Sequence, residues 1–553
     1  MRAGERLTRP SAGDSAGALA RRAKAHPAQA SPSRSFERSD HHNHTACAAR
    51  RPYRAGPCFA AYAFPNAMPS QYRFHCPAPQ ASPKPNPTLA SPPSPTNISL
   101  DIVALADRPW KILLRLALPT MGAMLLQSVV NFIDTLFFRE LGPQAGTVAH
   151  SALLPSHIVL WAFGGTLSAI GVGTQAYTAR RIAEGKTADA GAVMTNALAF
   201  CTVGGVLATA AAVMFLPAAL HYQKLTGEVY DVAYAYSSYR IFGIFSMAAT
   251  IGAKSFFDGI GKTKVHFWAS LIMNVFNVLL CWMFIFGHLG APRMGASGAG
   301  LGALIATWVG LSVVFFYVWR DRNLYGFFNI KNLSWSLLWQ MVQLSAPAAV
   351  ATIVMMAGFG KFVGFAQELD GIAGGGRNGA TTTNMVEIMK LIFVACIGFG
   401  AAGATLVGQS IGAGRNDLAK RYGWSAARTG AAIFAVVGLL VGVVFNAQIC
   451  AFVTHDVGVQ ALMHAPLRAM GLATPLIAIA LILTEALFGA GRAASVALVQ
   501  LTLVFGVLVP TAKYLSKQTD MGVYGMWVAA VVYAVLASAA LSVLFARVKP
   551  KAL

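Results

Sequence analysis

The sequence predicts an all-α polytopic membrane protein with twelve transmembrane helices in two pseudo-symmetric six-helix bundles, and three observations carry that expectation. Of the 553 residues, 56% are hydrophobic and only 12% charged, against roughly 25% charged in an average soluble protein. Apolar stretches recur from Trp110 onward, each about 20 residues or more, the length a helix needs to cross some 30 Å of hydrocarbon. The second half of the chain also repeats motifs of the first.

Taken in order, the apolar segments cover 111–138, 148–172, 191–217, 232–257, 265–287, 297–319, 337–366, 381–406, 425–447, 467–490, 494–515 and 522–546. Residues 1–107 differ in kind. Pro, Ala, Ser and Arg dominate there, as in SPSRSF (31–36) and PKPNPTLASPPSPTN (83–97), without the apolar periodicity that would offset the entropy of ordering the chain. A disordered tail is expected. Its Arg-rich, acid-poor composition also fits a targeting peptide, and Met68 offers an alternative start. An N-terminal bundle at 108–335, a C-terminal bundle at 336–547 and a short tail at 548–553 complete the expected organisation.

Charge orients the segments. Lys and Arg number 43 against 21 Asp and Glu, a net +22. In a soluble chain that excess would suggest nucleic acid. In a polytopic one it is ordinary, because basic residues collect in cytoplasmic loops and at anionic lipid, so the bilayer is the expected partner and nucleic acid is not. The loops after even segments and the C-terminus hold fifteen basic residues: Arg180, Arg181, Lys186, Lys262, Lys264, Arg320, Arg322, Lys331, Arg415, Lys420, Arg421, Arg492, Arg547, Lys549 and Lys551. The opposite loops hold six: Arg139, Lys224, Arg293, Arg377, Lys513 and Lys517. Both termini are therefore expected in the cytoplasm, with Tyr230, Tyr234, Tyr236 and Tyr239 at the outer interface. The seven cysteines form no CxxC pair, which points to neither a zinc site nor a disulfide framework. Gly171-x-Gly173-x-x-Ala176 fits the loose dinucleotide fingerprint but follows no strand, and close helix packing accounts for it better.

SAIGVGTQAYTARRIAEGK (168–186) aligns with CIGFGAAGATLVGQSIGAGR (396–415), placing Gly171 on Gly400 and Gly185 on Gly414 at an offset of 229 residues. Gly261 matches Gly491 at 230, and Met294-Gly295 matches Met521-Gly522 at 227. Three anchors at nearly one offset mean two six-helix halves. Six being even, the halves share an orientation about an axis along the membrane normal and can enclose a central cavity.

At these residues the sequence resembles the multidrug and toxic compound extrusion (MATE) family and its wider flippase-containing superfamily. NFIDTLFFRELGP (131–143) looks like the first-helix signature, GTQAYTARRIAEG (173–185) the loop after the second helix, and FFDGIGKTK (256–264) with NVFNVLLCWMFIFG (274–287) the fourth-to-fifth-helix segment. LVGQSIGAG (406–414) and LFGAGR (487–492) fill the matching places in the second half. The resemblance implies an antiporter; an intramembrane enzyme is a weaker alternative, since no hydrolytic or transferase constellation is visible in the sequence. The antiporter would sit in a bacterial inner membrane and export amphipathic or cationic compounds against inward H⁺ or Na⁺, as a monomer and without a cofactor. It also implies an ion site at Asp134, Asn277 and Thr307, with the second acid expected one turn after Asn277 falling on Cys281. A thiol is a poor Na⁺ ligand and, with an ordinary pKa of about 8.5, a poor proton carrier. The site would then work with one carboxylate. A lipid-linked oligosaccharide flippase is the alternative within the superfamily, but its cavity would need several basic groups and only Lys361 and Lys390 are deep candidates.

The residues themselves support a site at Asp134. A charge deep in an apolar helix costs about 2.5–3.5 kcal/mol on insertion scales, so an idle acid there is disfavoured; burial favours the neutral form and a cation or polar cavity the charged one. Packing between helices is the structural alternative. Pro119 removes a helix hydrogen bond and is expected to permit a bend near Asp134. In the second half, Glu387 and Lys390 share one helix face and are expected to pair with each other or with Lys361, as a buried ion pair or a transport group, while Glu485 is expected to be solvated. Met355, Met356, Met385, Met389, Phe359 and Phe362 could line an adaptable cavity, and Gln127, Asn131, Gln175 and Asn196 could meet substrate or join helices.

Overall fold

A computed structural model describes residues 107–223, 225–373, 377–519 and 521–548. The expectation of a disordered tail at 1–107 lies outside them, Asp107 apart, as do Lys224 and most of the C-terminal tail. Among the described residues, eleven helices are long and apolar enough to cross a membrane. They are α1 (Pro109–Arg139), α2 (Gln144–Ala183), α3 (Thr187–Tyr222), α5 (Thr263–Phe286), α6 (Ala296–Arg320), α7 (Trp335–Asp370), α8 (Arg377–Gly412), α9 (Asn416–Val444), α10 (Val457–Gly489), α11 (Ala493–Lys517) and α12 (Gly522–Ala546). The twelfth, α4, comes in two pieces, Gly227–Ile241 and Ile244–Gly259, interrupted at Phe242 and Gly243. All twelve expected segments are thus helical.

The helices pack as two equivalent sets. In the first half α1 packs on α5, α2 on α4, α3 on α4, α4 on α6 and α5 on α6; in the second, α7 packs on α11, α8 on α10, α9 on α10, α10 on α12 and α11 on α12. Each pairing of the first half has its counterpart six helices later. The halves meet where α8 packs on α1 and α2, and where α2 packs on α7.

The three sequence anchors have a common physical basis. Gly185 and Gly414 (φ 75° and 72°), Gly261 and Gly491 (82° and 76°), and Gly295 and Gly522 (58° and 53°) all adopt the left-handed region, which a Cβ would disfavour. The first four close helix ends in the same way: Lys186 N–H donates to Arg181 O, Arg415 to Ser410, Lys262 to Phe257 and Arg492 to Leu487, at 2.8–2.9 Å. This is the 6→1 bond of a Schellman cap. The basic residues of these turns therefore gather at one end of the two bundles. Asp321, just past α6, fastens that end: it accepts from Lys262 Nζ at 2.8 Å and from Arg320 Nε at 3.1 Å. Burial acts to raise the Asp321 carboxyl, but these two cations outweigh it and hold it below the ordinary carboxylate range. The contribution to stability is accordingly complete above the unfolded-chain value near pH 3.8 and lost as pH falls through the lower folded one. A pair this close to solvent is worth less than ~1 kcal/mol. Asp321→Asn is expected to lower the apparent melting temperature by a few degrees at pH 7 and progressively less as pH falls below about 3.8; equal loss at every pH would show that charge is not the cause.

Helices α2 and α8 extend past the segments expected for them, through residues assigned above to a loop. Arg180 is a helical residue with 4% relative exposure, not a loop cation, and its Nη2 donates to Gly489 O at 3.4 Å across the two halves. The rest of this seam is equally polar. Thr120 Oγ1 donates to Gly398 O (2.9 Å), Gln175 Nε2 to Ala401 O (2.9 Å), Thr405 Oγ1 to Asp258 O (2.9 Å), Gln409 Nε2 to Gly259 O (2.9 Å) and Gly173 N–H to Ser345 Oγ (3.1 Å). Small residues allow the approach: a Cβ on Gly412 would stand 2.4 Å from Arg180 O. Gln175 thus joins helices, as does Asn196, which donates to Asn332 O at 2.9 Å.

Candidate functional site

Beyond Thr120 and Gly398, away from the basic turns, both helices carry exposed polar side chains. Gln127 and Asn131 lie seven and eleven residues after Thr120, on the same face of α1, and both are exposed. On α8 the face that carries Gly398 continues through Leu391 and Glu387, also exposed. Among the described residues, the side-chain hydrogen bond between α1 and α8 is the one from Thr120 to Gly398 at the seam. Lys390 of α8 lies within electrostatic reach of His157 on α2.

Inside the first bundle lies a polar chamber. Asp134, half-buried on α1, faces the Cys281 thiol of α5. Cys281 Sγ also stands 3.6 Å from Asn277 Oδ1 and 3.7 Å from Ala299 O. Among the described residues, Asp134 Oδ1 is buried without a hydrogen-bond partner. Arg240 of α4 faces the carboxylate electrostatically and lies over the Tyr236 ring, 5.9 Å from its centroid. Tyr236 in turn meets His157, with Oη 3.5 Å from Nε2.

Thr307 belongs to the same chamber through Arg240. Both line a small cavity with Leu160, Gly243, Ile244 and Met247. The interruption of α4 creates it: with the chain broken at Phe242–Gly243, Gly243 passes so close to α6 that a Cβ there would stand 3.2 Å from Thr307 Oγ1. Ser246 Oγ, one turn on, donates to that hydroxyl at 2.9 Å.

The structure thus brings Asp134, Asn277 and Cys281 together and sets Thr307 one cavity away. Arg240, Tyr236 and His157 complete the group and were not anticipated. An arginine inside a membrane segment was the available signal for the first. Tyr236, expected at the outer interface, is only 5% exposed.

Other expectations need correction. Pro119 lies 15 residues before Asp134, about 22 Å along the helix, and α1 runs unbroken through it; it sits at the seam beside Thr120 rather than near the acid. Glu387 and Lys390 do pair, at 3.4 Å, but with side chains 64% and 46% exposed they form no buried ion pair. Lys361 is exposed and acts electrostatically on Glu368 instead. Met385 is fully buried in the second bundle's core with Met389 and Phe362. Met356 is exposed, while Met355 is half-buried near Tyr533 Oη (3.8 Å) and Phe359 packs on Phe393. Glu485 is half-buried against Gly400, where a Cβ would meet its Cγ at 2.7 Å, and not simply solvated.

The model of the family described as MatE matches residues 119–283 and 379–512, one stretch in each bundle and more than half of the chain. The chain belongs to the MatE family. Among curated relatives, a probable multidrug resistance protein NorM of Thermotoga maritima is 22% identical and aligns over 76% of this chain and 88% of its own length. A probable NorM of Geobacillus kaustophilus is 26% identical over 76% of this chain and 90% of its own. Among solved structures, the outward-facing conformation of a multidrug resistance MATE family transporter of the MOP superfamily superposes with a TM-score of 0.74 at 20% identity, covering 81% of this chain and 98% of the other. MATE in the bent conformation gives 0.72, also at 20% identity, over 81% and 97%. This family member is therefore a multi-pass membrane transporter with the MATE fold.

Proposed function

We propose that this MATE family member exports amphipathic or cationic drugs from the cytoplasm across a bacterial inner membrane in exchange for protons, with both termini cytoplasmic and Asp134 as the coupling group. The observation that carries the reading is the buried carboxylate oxygen of Asp134, without a hydrogen-bond partner among the described residues and set opposite Arg240 inside the first bundle. Relatives named as multidrug resistance proteins support the substrate class.

The choice of proton over Na⁺ rests on Arg240 and Cys281. A Na⁺ ion wants several oxygen ligands and a negative surrounding, whereas here a guanidinium occupies the chamber and a thiol replaces the second acid. A single carboxylate opposite a fixed cation suits a proton. With Asp134 ionised, Arg240 compensates its charge. Protonation from the open side discharges the acid and leaves the guanidinium uncompensated, adding one positive charge in the chamber. At about 10 Å and an effective dielectric of about 20, that repels a cationic substrate by ~1.7 kcal/mol, roughly a fifteenfold loss of affinity. The drug leaves outward as the proton enters.

Ethidium efflux from vesicles with the pH and Na⁺ gradients imposed separately tests the coupling. Efflux is expected under the pH gradient alone; efflux under the Na⁺ gradient alone would refute proton coupling. Cys281→Ala is expected to keep at least half of the proton-driven rate, and a loss beyond tenfold would show that the thiol is a required group.

A further inference from the structure

A groove of about 470 Å³ runs along the second bundle between α9, α10 and α12, lined by Trp424, Ala427, Arg428, Ala431, Ile479 and Ser542. It lies outside the seam and the chamber. Its base is apolar, but one wall carries an exposed arginine. Arg428 stands twelve residues into a 29-residue helix, about 18 Å from its basic end, and shares the groove with Ser542, four residues before the end of α12. Among the described residues, no hydrogen bond or ion pair to Arg428 is found, and the nearest acid along α9, Asp417, is taken by Arg415 at 2.9 Å. An arginine so placed without a protein partner takes one from outside, and its long side chain reaches toward the headgroup layer to do so.

We propose that this groove binds one anionic phospholipid of the leaflet at the basic end, its phosphate on Arg428 and Ser542 and an acyl chain along Ala427, Ala431 and Ile479. Charge complementarity selects the occupant. Arg421 lies seven residues before Arg428 on the same face of α9, with Trp424 between them, and Arg547 follows Ser542 at the end of α12; both arginines are exposed. The Trp424 ring, edge-on to Phe545 at 5.8 Å, ties the two helices together beneath them. A cationic drug would be repelled from such a stripe, and a soluble anion would leave the apolar floor bare.

Native mass spectrometry of the delipidated full chain, titrated with phosphatidylglycerol, phosphatidylcholine and glycerol 3-phosphate, tests this. Phosphatidylglycerol is expected to bind more tightly than phosphatidylcholine. Arg428→Gln is expected to weaken phosphatidylglycerol about fivefold, the equivalent of ~1 kcal/mol per basic contact, and to leave phosphatidylcholine unchanged, which also reports an intact fold. Ala431→Trp, which fills the groove and keeps the arginine, is expected to weaken both lipids. Unchanged phosphatidylglycerol affinity in Arg428→Gln overturns the proposal, as does glycerol 3-phosphate binding as tightly as the lipid, since that would mark a site for a soluble anion.

Discussion

Asp134→Asn is expected to abolish gradient-driven efflux, lowering the rate at least a hundredfold in proteoliposomes, while the purified variant still binds ethidium. The substitution keeps size and hydrogen-bonding capacity but fixes the group in a neutral state, so the charge opposite Arg240 can no longer change. Binding should persist, because the exposed polar residues of α1 expected to meet substrate, Gln127 and Asn131, are untouched. Helix insertion should improve if anything, an amide costing less in hydrocarbon than a carboxylate. Loss of both efflux and binding would make Asp134 part of the packing, and full efflux would remove it from the mechanism.

The second large effect is expected at the seam. Gly412 presses on the Arg180 carbonyl so closely that any Cβ forces the two halves apart. Overpacking of this kind costs about 1–3 kcal/mol, which moves a two-state balance by roughly five- to a hundred-and-fifty-fold. Gly412→Val should therefore cut transport more than tenfold and expose the closed end. A cysteine at Ala176, otherwise buried in the seam, would then react with a membrane-impermeant maleimide added from the side of the basic turns. Wild-type transport by Gly412→Val would show that the seam does not separate during the cycle.

How much of this was legible beforehand depends on the range over which each signal acts. Hydropathy found all twelve segments because membrane crossing is decided by about 20 consecutive residues. Spacing found the repeat because left-handed glycine turns tolerate few alternatives, and all three anchor pairs proved to be such positions. Cys281 could be placed beside Asp134 by resemblance alone. Arg240 escaped because the first piece of α4, EVYDVAYAYSSYRI, is polar and aromatic enough to pass for an interface, and the tyrosines around it were assigned to water when one of them packs against His157. Burial misled for Met385 and the Glu387–Lys390 pair for the same reason. Which face of a helix looks at protein, lipid or water is a property of its neighbours, and no local pattern encodes it.

The contacts that hold the halves shut end largely on peptide oxygens: those of Asp258, Gly259, Gly398, Ala401 and Gly489. Main-chain acceptors neither gain nor lose protons between pH 4 and 10. These bonds themselves are consequently blind to acidity, which leaves the response to an outside proton to side chains such as the carboxylate in the first bundle. Such a division of labour lets the closing force be retuned by swapping a donor such as Gln409 or Thr405 without shifting the pH at which the exchanger responds.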